Sequence, residues 1–234
     1  MEALYAAAIL RGMQMDQNDL ARMNRVMRHR LRNVASGIKG AVTYLGETLE
    51  DRLSEDEKEY FPLIVKECDA LSELTGRLNL LFDDVPAGGS LLVGDVVAHV
   101  EKGLRERFSA GSLGAEVAKE VAGLRVAGGQ ALAVALLEVV VNAAEASPEG
   151  VASMSVADDS GKARFVVSNG GIDESVEDLE GLFEAFHTTR ARHLGIGLVI
   201  ARKVVEGLGG GISLTREGDR CTVDLEVPLE DGAK

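Results

Sequence analysis

The sequence contains no tryptophan, and aromatic residues make up only 4% of it. A folded core must therefore be aliphatic, built from Leu, Val, Ile, Ala and Met. Cysteine is also scarce. Cys68 and Cys221 stand far apart and neither has the spacing of a metal-ligand pair, so both read as reduced core thiols of a cytoplasmic protein. Basic residues are outnumbered, 25 Lys and Arg against 38 Asp and Glu, and the net charge of −13 excludes the basic face that phosphate backbones require. Nucleic acid is not an expected partner. No uninterrupted apolar run reaches the roughly 18 residues of a membrane-spanning helix, and no span is expected. The short apolar run near the N-terminus has no cationic region ahead of it, so no signal peptide is expected either. Sensory input is expected from a segment or partner outside this chain.

What is present is a 46% hydrophobic chain of 234 residues, enough for one large or two small domains. The N-terminal part reads as helix, without proline from residue 3 to residue 50. Within it Met27, Leu31, Val34, Ile38, Ala41 and Leu45 recur at alternating steps of four and three, the spacing of a bundle seam. With Met27 and Val34 at d and Leu31 and Ile38 at a, His29 falls at f and Asn33 at c. These two are i and i+4 neighbours on the face away from the seam. Residues 51–54 interrupt the helix. Ser54 and Glu57 then form a capping box that opens a second helix over about residues 55 to 82. Pro62 is expected to kink that helix, since it removes an N–H and crowds the preceding turn. A two-helix hairpin cannot cover such a seam alone, and a second copy would complete a four-helix bundle.

The acids, proline and glycines of residues 83–90 mark a linker. Domains are expected at 1–84 and 90–234. The second part has mixed texture. Strands are expected over residues 91–93, 115–121, 124–126, 152–157, 163–168, 211–215 and 222–227, with helices over 95–108, 130–146 and 195–207. Helices on one face of a mixed sheet give an α+β sandwich.

Three stretches there can carry chemistry. In the apolar helix LLEVVVNAAEA, Glu138, Asn142 and Glu145 share one face. Polar groups on such a helix are either solvent-facing or paired at a cavity, and a carboxylate and an amide at this spacing suit hydrated Mg²⁺ beside phosphates. The strand VVSNGGID ends at Asn169 and glycines, either a simple turn or a place where a base approaches the backbone. Gly195-Ile196-Gly197 opens a helix, whose free amides suit phosphate.

The order of these stretches behind the His29 helix resembles the sensor histidine kinases of two-component signalling, over about residues 20–228. The resemblance implies a dimerisation and histidine-phosphotransfer hairpin at residues 20–83. It also implies a catalytic domain at 90–228 of the ATP-binding fold shared with gyrase-type and heat-shock ATPases. HRLRN matches the phosphoacceptor box, which makes His29 the phosphoacceptor. Asn33 then sits where a side chain orients water for dephosphorylating the partner. Arg30 stands where the family most often has an acid, so Glu138 is the candidate general base from the second domain. LLEVVVNAAEA matches the asparagine box, with Asn142 holding Mg²⁺ against the ATP phosphates. In VVSNGGID, Asn169 takes the place of the family's adenine-binding aspartate and Gly171 that of the first glycine, while the second is replaced by Asp173 or deleted. LFEAFHTTRA matches the phenylalanine box, with Phe183 and Phe186 packing a lid and Thr188, Thr189 and Arg190 near the phosphates. In HLGIGL, Gly195 and Gly197 remain of the last glycine box and His193 replaces its first glycine.

The implied cofactors are ATP and Mg²⁺, and the implied partners are a second copy and the receiver domain of a response regulator. The resemblance implies an ATP-dependent kinase. The departures at Asn169, Asp173 and His193 keep a second function open, an ATP-independent phosphotransfer relay or a non-catalytic regulatory dimer.

Overall fold

A computed structural model describes residues 17–85, 89–170, 178–185 and 194–230. The chain divides into two compact units, Met1–Phe82 and Asp83–Lys234.

The first unit is an antiparallel helical hairpin. Helix α1 spans Gln17–Leu49, a single 3₁₀ turn follows at Glu50–Arg52, and helix α2 spans Glu55–Phe82. The capping box forms as its spacing predicts. Ser54 N donates to Glu57 Oε2 at 2.8 Å, and Glu57 N donates to Ser54 Oγ at 3.3 Å. Pro62 sits within α2, which runs on through it.

The hairpin does not bury its apolar seam. Val34 and Ile38 remain 57% and 45% exposed, and Met27, Leu31 and Leu45 are exposed with them. What α1 turns towards α2 is smaller and more polar: Arg28, Ala35 and Lys39, against Cys68, Asp69, Thr75 and Asn79. Arg28 is only 3% exposed. Its Nε donates to Asn79 Oδ1 at 2.7 Å, its Nη1 donates to Asn24 Oδ1 at 2.8 Å, and its guanidinium lies 5.5 Å from the Phe82 ring centre. A groove of about 550 Å³ runs beside it, lined by Met23, Met27, Leu31, Leu78 and Phe82.

The second unit is an α+β sandwich. Its elements are β1 (Leu91–Leu92), α3 (Val93–Arg107), β2 (Ser112–Val117), α4 (Lys119–Ala122), β3 (Arg125–Val126), α5 (Gly129–Ala146), β4 (Val151–Asp159), β5 (Lys162–Gly170), α6 (Gly197–Gly207), β6 (Gly211–Glu217) and β7 (Arg220–Pro228). The main sheet has the order β2-β4-β5-β7-β6. Only β2 and β4 run parallel, and β1 pairs with β3 separately. Alternation fixes the faces. Met154, Val156, Phe165, Val167, Val223 and Leu225 point inward, in register across three strands. Helices α3, α5 and α6 cover that side. The turn between β4 and β5 is two residues, Ser160 and Gly161, both at positive φ, and Asp158 Oδ1 accepts from Gly161 N.

Two sequence expectations change. Residues 119–121, expected to extend a strand, belong to the short helix α4, because Ala118 N leaves the sheet on Val156 O and Val121 turns back into the core. Helix α3 starts at Val93, two residues earlier than expected, which shortens β1 to a pair. Among the described residues one helix, Gly129–Ala146, is long and apolar enough to cross a membrane by length and composition, although its apolar run is interrupted. Here it is the central core helix: Leu132, Leu136 and Val140 are fully buried.

Candidate functional site: a phosphoacceptor helix and a nucleotide pocket

On the first unit, the register that places the seam on one face of α1 puts His29 and Asn33 on another, and both are exposed. Asn33 Nδ2 lies 3.3 Å from His29 Nδ1, so the carboxamide one turn along touches the imidazole through that nitrogen. The other ring nitrogen, Nε2, is then the one available to a reactant. Arg30 follows on the same exposed surface.

On the second unit, α5 and α6 carry two of the motifs, and the fold brings them together. Gly197 is the first residue of α6. A Cβ placed on it would lie 3.0 Å from Glu138 Oε2 and 3.1 Å from Asn142 Nδ2. The glycine is thus required by close approach: the two polar side chains of α5 press against the start of α6. Gly195 sits at φ +63°, where a side chain is strained. Ile196, the cap residue, makes no side-chain hydrogen bond to the first turn of α6. This is the arrangement that receives an anion.

Asn169 lies near the end of β5 on its inward face, 9% exposed, opposite Cys221 of β7. Its Nδ2 donates to Gly170 O at 3.1 Å, which orients the carboxamide. Burial pushes the Cys221 thiol up from its ordinary value and keeps it neutral. Phe183 is buried in a 3₁₀ turn, with the Arg202 guanidinium 3.7 Å from its ring centre, and Arg202 also pairs with Glu180 at 2.6 Å. Gly171, Asp173, Phe186, Thr188, Thr189, Arg190 and His193 lie outside the described residues.

Glu138 is not a solvent-facing carboxylate. It is 3% exposed, and Arg107 Nη1 donates to its Oε1 at 2.8 Å. Sequence reading misses Arg107 entirely. It ends α3, 31 residues from its partner, and nothing in the local pattern of α3 distinguishes it from Arg105, the other basic residue of its last turn. Among the described residues no group of three or more His, Cys, Asp or Glu side chains could hold a metal. Beside Gly197, Asn142 contributes a neutral amide. That donor set fits an ion held mainly by phosphate and water.

Residues 128–231 match the family of histidine kinase-, DNA gyrase B-, and HSP90-like ATPases. With the helical hairpin before it, the chain is similar along most of its length to two-component sensor histidine kinases. Among its relatives is the sensory histidine kinase/phosphatase NtrB of Azospirillum brasilense, 28% identical over 231 residues, covering 91% of this chain and 56% of that protein. The sensor histidine kinase ZraS of Escherichia coli K12 is 25% identical over 243 residues, covering 94% and 50%. The chain thus spans about half the length of these curated relatives. Full-length ShkA, solved in complex with AMPPNP, shares the fold with a TM-score of 0.70 at 18% identity, over 91% of this chain and 47% of ShkA. The catalytic domain of the histidine kinase ThkA, in a nucleotide-free form, aligns with a TM-score of 0.51 at 25% identity, over 60% of this chain and 94% of that domain.

Proposed function

We propose that the chain is an ATP-dependent protein histidine kinase. It phosphorylates His29 and passes the phosphoryl group to an aspartate on the receiver domain of a response regulator. It works as a homodimer through the hairpin, with residues 1–84 as phosphotransfer domain and 90–234 as ATP-binding domain. The observation that carries this reading is the meeting of Glu138, Asn142 and Gly197 at the start of α6, where the cap residue Ile196 offers the first turn no side-chain bond. The amides of that turn bind phosphate, and Asn169 Oδ1 accepts from the adenine amino group while its Nδ2 stays on Gly170 O. Asn142 holds the Mg²⁺, which when bound neutralises charge on the phosphate oxygens.

His29 supplies the nucleophile. Its Nε2 lone pair forms a bond to the γ-phosphorus as the bond to the ADP oxygen breaks. For that step Nε2 must carry no proton, so Nδ1 carries one. Asn33 supports this tautomer when its carboxamide turns its oxygen to Nδ1. In the reverse sense the same amide orients water on a phosphorylated receiver. The exposed seam of Met27, Leu31, Val34, Ile38 and Leu45 supports the second copy, since a stripe of this size is stable only when covered. A cytoplasmic location is part of the proposal, supported by two buried cysteines that are both free.

Incubation with labelled ATP and Mg²⁺ tests it, with His29→Ala as control. Acid-labile, base-stable label that disappears in His29→Ala supports the kinase. A second reading, the ATP-independent relay, is favoured by one observation, the uncharged Asn169 at the adenine position. Label that arrives only from a phosphorylated receiver, with no nucleotide affinity by calorimetry, replaces the kinase with the relay.

A further inference from the structure

We infer that Arg107 is a positioning residue of the nucleotide site, holding Glu138 as a buried strut between α3 and the start of α6 instead of leaving it free as a proton acceptor. The inference rests on the nucleotide-binding reading of the second unit and assigns residues within it.

Three contacts carry it. Gly103, one turn before Arg107, lies so close to α5 that a Cβ there would fall 2.5 Å from Leu137 Cδ2. The two helices are therefore drawn together where Arg107 ends α3. Arg107 Nη1 then reaches Glu138 Oε1 at 2.8 Å, between side chains 19% and 3% exposed. The other carboxylate oxygen, Oε2, is the atom that faces Gly197, beside Asn142 Nδ2. One side chain thus touches α3 through one oxygen and α6 through the other, one helical turn before Asn142 on α5.

A carboxylate this deeply buried is stable only when paired. Removing the guanidinium takes a charged donor from that carboxylate, and Glu138 shifts towards water or admits it. Either shift displaces the start of α6 and the neighbouring Asn142. Glutamine at position 138 keeps an oxygen acceptor for Arg107, so the strut survives without its charge. The two roles for Glu138 therefore order the variants oppositely. A general base takes the proton on its carboxylate, and it cannot be replaced by an amide. A strut depends on Arg107 and tolerates the amide better than the loss of its partner.

The test uses the full chain and four variants: Arg107→Met, Arg107→Lys, Glu138→Gln and the double variant Arg107→Met/Glu138→Met. The dissociation constant for AMPPNP is measured by calorimetry, and the His29 labelling rate at saturating ATP separately. Amide exchange at Ile200, which bonds to Ile196 O in the first turn of α6, is followed without nucleotide. Arg107→Met should weaken binding by on the order of tenfold and speed exchange at Ile200 similarly, while β6 and β7 keep their protection. Arg107→Lys should restore most of the affinity, Glu138→Gln should cost only about threefold, and the double variant should bind better than Arg107→Met alone, because the buried carboxylate leaves with its donor.

Loss of labelling by about a hundredfold or more in Glu138→Gln, with AMPPNP affinity intact, makes Glu138 the base and overturns the strut. So does an Arg107→Met protein with unchanged affinity and unchanged exchange at Ile200. If the unaltered chain binds no nucleotide, the nucleotide reading fails, and the exchange measurement alone decides whether Arg107 positions α6.

Discussion

The two units solve the burial problem differently. The second unit closes on itself: Leu132, Leu136, Phe165, Ile200 and Leu225 are fully buried between three helices and one sheet face. The hairpin leaves its best apolar residues outside and fills its interior with Arg28, Thr75, Ala35 and Asn79. A domain with a sealed aliphatic core is stable alone, whereas a hairpin with a polar interior and an exposed seam is half of something. The second unit is therefore self-sufficient, and the helix that carries His29 is stabilised chiefly by what its seam meets.

The strongest way to break this contrast is in the sealed core. Phe165→Ala removes the largest fully buried side chain, from the middle strand of the sheet. We expect a loss of about 3–5 kcal/mol, read as a lower denaturant midpoint for the β-sheet signal. The helical hairpin and its oligomeric state should stay intact. If the hairpin unfolds in the same transition, the two units are not independent.

The converse change acts on the seam. Ile38→Glu takes about 2 kcal/mol of apolar burial from each protomer, roughly 4 kcal/mol per dimer, or about a thousandfold in the dimer dissociation constant. Analytical ultracentrifugation should find monomers where the unaltered chain dimerises, and the second unit should melt where it did before. A monomeric unaltered chain at micromolar concentration would remove the premise.

The same contrast explains what was legible in the sequence. Spacing alone revealed the seam, because seven-residue periodicity in Met27, Leu31, Val34 and Ile38 survives whether the partner is α2 or another copy. It could not reveal the interior of the hairpin, where Arg28 reads as one more surface arginine until Asn24, Asn79 and Phe82 are seen around it. In the second unit, strands β4, β5 and β7 were legible from strict alternation. Residues 119–121 were not, since their apolar residues fit a strand locally and only the departure from Val156 O turns them into a helix. Asn142 and Gly197 were legible as motif residues, but the reason Gly197 is glycine is a contact with α5, some fifty-five residues earlier in the chain. Arg107 left no signal, because an ion pair between distant helix positions has no period.

A smaller effect tests the polar interior itself. Arg28→Leu is close in volume but leaves Asn24 Oδ1 and Asn79 Oδ1 without their donor. We expect a loss of about 1–3 kcal/mol from the hairpin, read by thermal melting of the helical signal, with no change in the second unit. A neutral or stabilising result would mean that an apolar interior serves as well, and that Arg28 is retained for specificity.

The smallest effect lies at the tip of the hairpin, where the capping box can be addressed by pH. Hydrogen bonds from the Ser54 hydroxyl and the Ser54 amide hold the Glu57 carboxyl below the usual carboxylate range. A carboxylate whose folded value is depressed stabilises the folded state above its unfolded value, and that contribution is lost as pH falls through the folded one. The hairpin should therefore weaken on acidification below the ordinary glutamate range, by an amount that Glu57→Gln abolishes. Ser54→Ala removes the cap itself, at a cost of about 1 kcal/mol at neutral pH, and should flatten the same acid slope because the cause of the depression is gone. An acid slope unchanged in Ser54→Ala would assign the pH dependence to Glu55, whose carboxyl the hydrogen bond from Lys58 also holds below the usual range.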